Sequence, residues 1–151
     1  TYHRMGQVDE ARENYIKLLS RDQNNWAALN NLMILAGEEA PEDALKELQE
    51  LELINPEFSP IPAQIGLINL RLNKVDEAIK YFTRAIILSP DNLAYRYNLA
   101  VTLDHSGYKA QAARLYQQLL DANKDGKELP ESAQRIRDRL EFIISLPLAV
   151  K

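Results

Sequence analysis

Apolar residues along this chain recur with two periods at once. Within short stretches they fall three and four residues apart, the spacing that places side chains on one face of an α-helix. Over longer distances the same pattern returns about every 34 residues. Its clearest copy is Ser59 to Asn92, which reads as two helices joined by a turn. Ala78, Phe82, Ala85 and Pro90 mark its second half; Ala112, Tyr116 and Leu119 repeat those marks downstream. Ala44, Leu48, Leu51 and Pro56 repeat them upstream, and Ala11, Tyr15 and Leu18 do so again before that. The leading alanines stand 33, 34 and 34 residues apart. A single hairpin of two short helices cannot bury its apolar face, so a fixed period of this length predicts a stack in which each hairpin touches its neighbours. Small residues let helix axes approach to about 8 Å, which assigns the alanines to the closest crossings. Phe82 and Tyr116 follow four residues later on the same face and are expected to fill the wedge between successive hairpins. Pro56 and Pro90 close their pairs because proline cannot continue a helix.

The pattern divides a single domain, 1–151, into an incomplete hairpin over about 1–25, hairpins over about 26–58, 59–92 and 93–122, and a last helix over about 131–146. Gly6 and Gly107 fall at turns between helices. Trp26 opens the second pair as a packing residue. Pro41 suits the first turn of a helix, where its missing N–H is not needed, and Glu42 and Asp43 suit that helix's positive end.

A 34-residue period carrying a small residue, an aromatic four later and a closing proline resembles the tetratricopeptide repeat (TPR). The resemblance covers roughly residues 1–122. It implies an all-α, right-handed α-solenoid of about three and a half helix-turn-helix hairpins plus a C-terminal capping helix. It also implies protein binding rather than catalysis. The third hairpin departs from the family pattern. Pro62 stands where a bulky aromatic is usual, Asn69 where a large residue is usual, and Asn73 replaces the turn glycine. Asparagine tolerates the left-handed turn conformation best after glycine. Pro56, Pro60 and Pro62 crowd the entrance, so the stacking is expected to adjust there. In the last helix Ala133, Ile136, Leu140 and Ile143 form one stripe, and Arg135, Arg137, Asp138, Arg139 and Glu141 are expected to form its polar outer face.

Composition narrows the chemistry. Eighteen basic against 22 acidic residues leave a charge of −4, which argues against a sequence-independent nucleic-acid binder. There is no cysteine, hence no disulfide, thiolate metal site or cysteine nucleophile. No apolar run approaches the roughly 18 residues of a membrane span. The chain opens on Thr1 inside a helical pattern and reads as an excised piece. The compartment stays open, with the cytoplasm as the expectation. Asp121 to Gly126, DANKDG, matches the first half of an EF-hand loop, but Ser132 falls where its glutamate belongs and Pro130 interrupts it. The same residues also describe an ordinary helix end. His3 and His105 are the only histidines and lack partners at metal-ligand spacing. No metal, cofactor or catalytic residue is expected, because no convergent polar set accompanies a pocket-forming break in the stack.

In related repeats the first helices line the concave surface, and the resemblance places three rows of side chains there. Asn31, Gln64 and Asn98 make a ladder of amides; Ile34, Leu67 and Val101 make a parallel ladder of aliphatics; Arg71 and His105 make a shorter third row. Amides donate to and accept from a peptide backbone at once, and aliphatics reward burial of apolar partner groups. Some TPR domains clamp a C-terminal carboxylate with cations on these helices. Here Ala27, Pro60, Ala63, Gln64 and Ala94 occupy the neighbouring groove positions, which argues against that scheme. The expected function is a non-enzymatic scaffold or adaptor that takes a peptide or partner helix in the groove. One alternative is an accessory domain of a larger enzyme or of a secretion or pilus assembly protein. Another is a self-assembling module, with self-association through an under-covered N-terminal end, residues 1 to 20.

Overall fold

The structure, a computed structural model, describes residues 40–147, and within them six helices and no strand. These are α1 (Pro41–Ile54), α2 (Pro60–Arg71), α3 (Val75–Leu88), α4 (Leu93–His105), α5 (Lys109–Lys124) and α6 (Ala133–Ile144). Trp26, Asn31, Ile34 and the N-terminal surface expected to self-associate lie outside the described residues. Each helix packs on the next, as an all-α helical repeat solenoid requires.

Four of the six described helices begin with a favourable cap or first-turn residue. Pro41 opens α1, followed by Glu42 and Asp43 at the positive end of the helix dipole. Asp76 and Glu77 do the same for α3. The Asn92 side chain accepts from the Ala94 N–H at 3.1 Å and caps α4. Ser132 caps α6 by accepting from the Arg135 N–H at 3.1 Å.

Three helices end in one motif. After α4, the Tyr108 N–H reaches back to the Leu103 carbonyl and the Gly107 N–H to that of Asp104, with Gly107 at φ 91°. After α2, Lys74 and Asn73 bond to the Asn69 and Leu70 carbonyls in the same way, with Asn73 at φ 59°. This paired closure needs a left-handed residue at its centre, and asparagine serves as expected. The DANKDG stretch is the third case. Asp121 to Lys124 are the last residues of α5, and Lys127 and Gly126 bond back to the Ala122 and Asn123 carbonyls. It is a helix end.

Ala44, Ala78 and Ala112 are all completely buried, as are Leu48, Phe82 and Leu119. Phe82 lies in one apolar cluster with Leu99, Ala100 and Leu103 of α4, which is the wedge position expected for it. That cluster runs on through Tyr116 to Ile136, Leu140 and Ile143 of α6. A second cluster joins Leu48 and Leu51 of α1 to Ile61, Ile65 and Ile68 of α2 and to Tyr81 of α3. Phe58, just before α2, adds its ring there, while Pro62 is buried in the first turn. Asn69 is buried too, and its Nδ2 donates to the Ile65 carbonyl at 2.9 Å, so it costs no unmet hydrogen bond. Gly66 was not singled out by sequence. A Cβ there would stand 2.7 Å from two ring carbons of Phe82, so only glycine lets α2 and α3 approach this closely.

Candidate partner-binding groove

The first helix of the last hairpin, α4, turns one face toward α6, and a cavity of about 410 Å³ opens between them. Tyr97, Val101, Asp104 and His105 line it from α4, and Tyr116 reaches in from α5. Arg135, Ile136 and Arg139 of α6 close the opposite side, with Glu131 on the approach to that helix. Two expected groove residues, Val101 and His105, therefore meet in one site. His105 is exposed and Val101 half-buried.

The other described members lie outside this cavity. Gln64 and Asn98 are half-buried on α2 and α4, and their amides make no hydrogen bond among the described residues. Arg71 is exposed at the last turn of α2. Leu67 is half-buried and packs against the cluster around Phe82, so part of its surface serves the core rather than a groove.

The cavity's floor holds a polar set that contradicts the expectation of none. Asp104 is 1% exposed, yet its carboxylate accepts four hydrogen bonds. Lys109 Nζ donates at 2.5 Å and Arg139 Nη2 at 2.7 Å to Oδ1; Arg139 Nε donates at 2.5 Å and the Tyr116 hydroxyl at 3.1 Å to Oδ2. Lys109 Nζ also donates to the Asp104 carbonyl at 2.7 Å. Two helices, α5 and α6, thus converge on one carboxylate of α4. Burial by itself raises the Asp104 pKa, but the Arg139 and Lys109 hydrogen bonds, the Arg139 charge and the Tyr116 hydroxyl outweigh it and hold the group down at about 2. The Tyr116 hydroxyl is pushed up, first by burial and then by the Asp104 charge and hydrogen bond. Burial also raises Tyr97, with the Glu131 charge adding to it and Arg135 opposing.

Arg139 corrects a second expectation. It does not join the outer polar face of α6 but turns back to Asp104, with its guanidinium carbon also 4.8 Å from the Phe142 ring centre. Sequence reasoning missed Asp104 although a signal existed. Asp104 stands 34 residues after Leu70, which is half-buried and packed against the core. An acid in the phase of an apolar residue requires buried cationic partners. Lys109 is close in sequence, but nothing in the sequence pairs Arg139 with it across 35 positions.

Known proteins share this architecture. Two family models, both described as tetratricopeptide repeat, match residues 1–25 and 64–128. Uncharacterized protein ycf37 of Cyanophora paradoxa is 28% identical over 104 residues, 69% of this chain and 60% of its own length. The chain thus spans less than two thirds of that relative. The type III secretion translocator chaperone SycD of Yersinia enterocolitica superposes with a TM-score of 0.68 at 19% identity, over 82% of this chain and 86% of that one. TTC0263, a thermophilic TPR protein of Thermus thermophilus, gives 0.62 at 23% identity, over 94% and 75%. The MamA protein gives 0.60 at 21%, over 95% and 90%. At these identities the likeness is one of fold.

Proposed function

This chain belongs to the tetratricopeptide-repeat family, and from that premise we propose that it is a non-enzymatic scaffold or adaptor whose first-helix face receives a peptide or partner helix. The observation that carries the reading is the α4 face itself. Asn98 offers an amide with no hydrogen bond among the described residues, and Val101 and His105 open into a cavity walled by α6. Gln64 repeats the amide one hairpin earlier, and Asn31 continues the row upstream. Such amides meet partner backbone groups as those lose water, while Leu67 and Val101 cover apolar side chains.

With a partner identified by affinity capture, Gln64→Ala and Asn98→Ala should each weaken binding by roughly 1–3 kcal/mol where desolvation is complete, and leave the helical content unchanged. A hydrogen-exchange footprint on α3 and α5 instead of α2 and α4 would refute the placement. The second reading, an accessory part of a secretion or assembly system, draws on the likeness to SycD, which is named a translocator chaperone. It uses the same face and differs only in what is held there.

A further inference from the structure

The second helices of successive hairpins, α1, α3 and α5, end at one edge of the stack, and contacts hold those ends side by side. Arg84 Nη1 donates to Glu52 Oε1 at 2.8 Å between the last turns of α3 and α1. Ser89 Oγ donates to Ser59 Oγ at 2.8 Å between the loops that follow. Lys127 Nζ lies 3.8 Å from Asp91 Oδ1, which brings the loop after α5 beside the loop after α3. Aliphatic side chains face water along this edge: Leu53 is 85%, Ile54 68% and Ile87 72% exposed. A single exposed aliphatic needs no explanation. Leu53 and Ile87, however, stand 34 residues apart, so equivalent positions of two adjoining helices both keep one. Neither serves the core, because Leu51 and Ala85 are the buried members of these turns. Past Asp91 the edge dips into a shallow depression of about 740 Å³, walled by Leu93 and Ala94 of α4 and by Leu129 and Pro130.

The charge along the edge is acidic. Glu57, Asp91 and Asp125 follow the three helix ends at the same 34-residue interval, and all are exposed. Glu128 lines the depression, and Asp121 ends the aliphatic row in phase with Leu53 and Ile87. Glu57, Asp125 and Glu128 make no ion pair among the described residues. Of the nearby cations, Arg84 is held by Glu52 and the Tyr81 ring, Arg96 by the Pro90 carbonyl and Gln118, and Lys127 by Asp91. Lys124 is exposed on the last turn of α5. With Glu52 included, the acids outnumber these cations six to four. The acids alone would be a solvated face; the aliphatic pair in the phase of the repeat is what calls for a partner. We propose that this edge is a second docking surface, separate from the first-helix face, and that its occupant is a basic amphipathic segment of a partner protein. Leucine-type side chains of the segment cover Leu53, Ile54 and Ile87, and its lysines or arginines meet Glu57, Asp91 and Glu128. Charge decides against the other occupants: the acid row repels an anionic membrane surface, and the same edge of a second copy carries the same sign.

The probe is a fluorescein-labelled leucine–lysine peptide patterned to present one apolar and one basic helix face. Its two controls carry glutamate in place of every lysine, or serine in place of every leucine. In anisotropy titrations of the full chain, the leucine–lysine peptide should bind about tenfold tighter than either control. Leu53→Ser with Ile87→Ser should remove about that factor. Both positions are exposed, so helical content should not change, which circular dichroism checks. Glu57→Lys with Asp91→Lys should weaken binding and flatten its salt dependence. Gln64→Ala with Asn98→Ala should leave this peptide's affinity unchanged, which separates the edge from the first-helix face. The hydrogen-exchange footprint should fall on the ends of α1 and α3; a footprint on α2 and the middle of α4 overturns the placement. If the charge reversals matter but Leu53→Ser with Ile87→Ser does not, the attraction is diffuse and the docking surface falls. Equal affinity for the glutamate control overturns the basic partner. Self-association of the chain, or binding to phosphatidylserine vesicles, that Leu53→Ser with Ile87→Ser abolishes would give the edge to a second copy or a membrane and overturn the proposal as well.

Discussion

Gly66 and Phe82 show how one residue sets the distance between two helices. Glycine inside α2 forgoes about 1 kcal/mol of helix propensity relative to alanine. Its place is fixed because the Phe82 ring, itself completely buried, lies where a Cβ would go, at 2.7 Å. The equivalent position one hairpin later is Ala100, also completely buried, where a methyl group fits. Gly66→Ala should therefore lose up to about 2 kcal/mol net, because overpacking costs about 1–3 kcal/mol against the propensity gained. In a Phe82→Leu background the same change should turn neutral or stabilising. Urea denaturation of the four proteins of this double-mutant cycle measures the coupling. If Gly66→Ala stabilises in both backgrounds, the close approach is not what selects glycine here.

At the scale of elements, Asp104 is the joint where α4, α5 and α6 meet. Helix packing alone would let α6 slide along its apolar stripe, whereas the paired Arg139 hydrogen bonds set its register. The folded pKa of about 2 lies below the ordinary value of 3.8, so the ionised group stabilises the fold above pH 4 or so. That contribution fades as the pH falls from about 4 to about 2. A pKa lowered from 3.8 to about 2 corresponds to about 2 kcal/mol of stability. Wild type and Asp104→Asn should differ by a constant amount from pH 5 to 8 and converge by about that much at pH 2. Chemical denaturation across this range checks it, and parallel curves down to pH 2 would mean that the carboxylate charge does not hold the joint. The variant should remain helical, because Lys109 and Arg139 are partly exposed and can turn to water.

For the whole molecule, the repeat was legible because burial follows sequence phase. Ala44, Ala78 and Ala112 lie 34 residues apart and all reach zero exposure, and Asn73 takes the left-handed turn its chemistry allows. Val101 and His105, two of the residues the sequence offers for a groove, line the cavity, but a cavity depends on how α6 is attached, and that attachment breaks the repeat. Contacts such as Asp104 to Arg139 leave no periodic trace, so sequence phase cannot reveal them. The same division has an energetic consequence. One apolar cluster joins α1 and α2 to Tyr81 of α3, and another runs from Ala78 and Phe82 of α3 to α6. In a solenoid, stability is approximately a sum of local units and nearest-neighbour interfaces. Leu48→Ala, at a fully buried site in the first cluster, should cost roughly 2–5 kcal/mol. That loss should speed native-state hydrogen exchange mainly in α1 and α2. Asp104→Asn should speed exchange mainly in α5 and α6 and leave α1 close to wild type. Exchange resolved by helix with mass spectrometry separates the two patterns. Equal acceleration of every helix by both variants would show one all-or-none unit, and the two clusters would then be a geometric division without energetic independence.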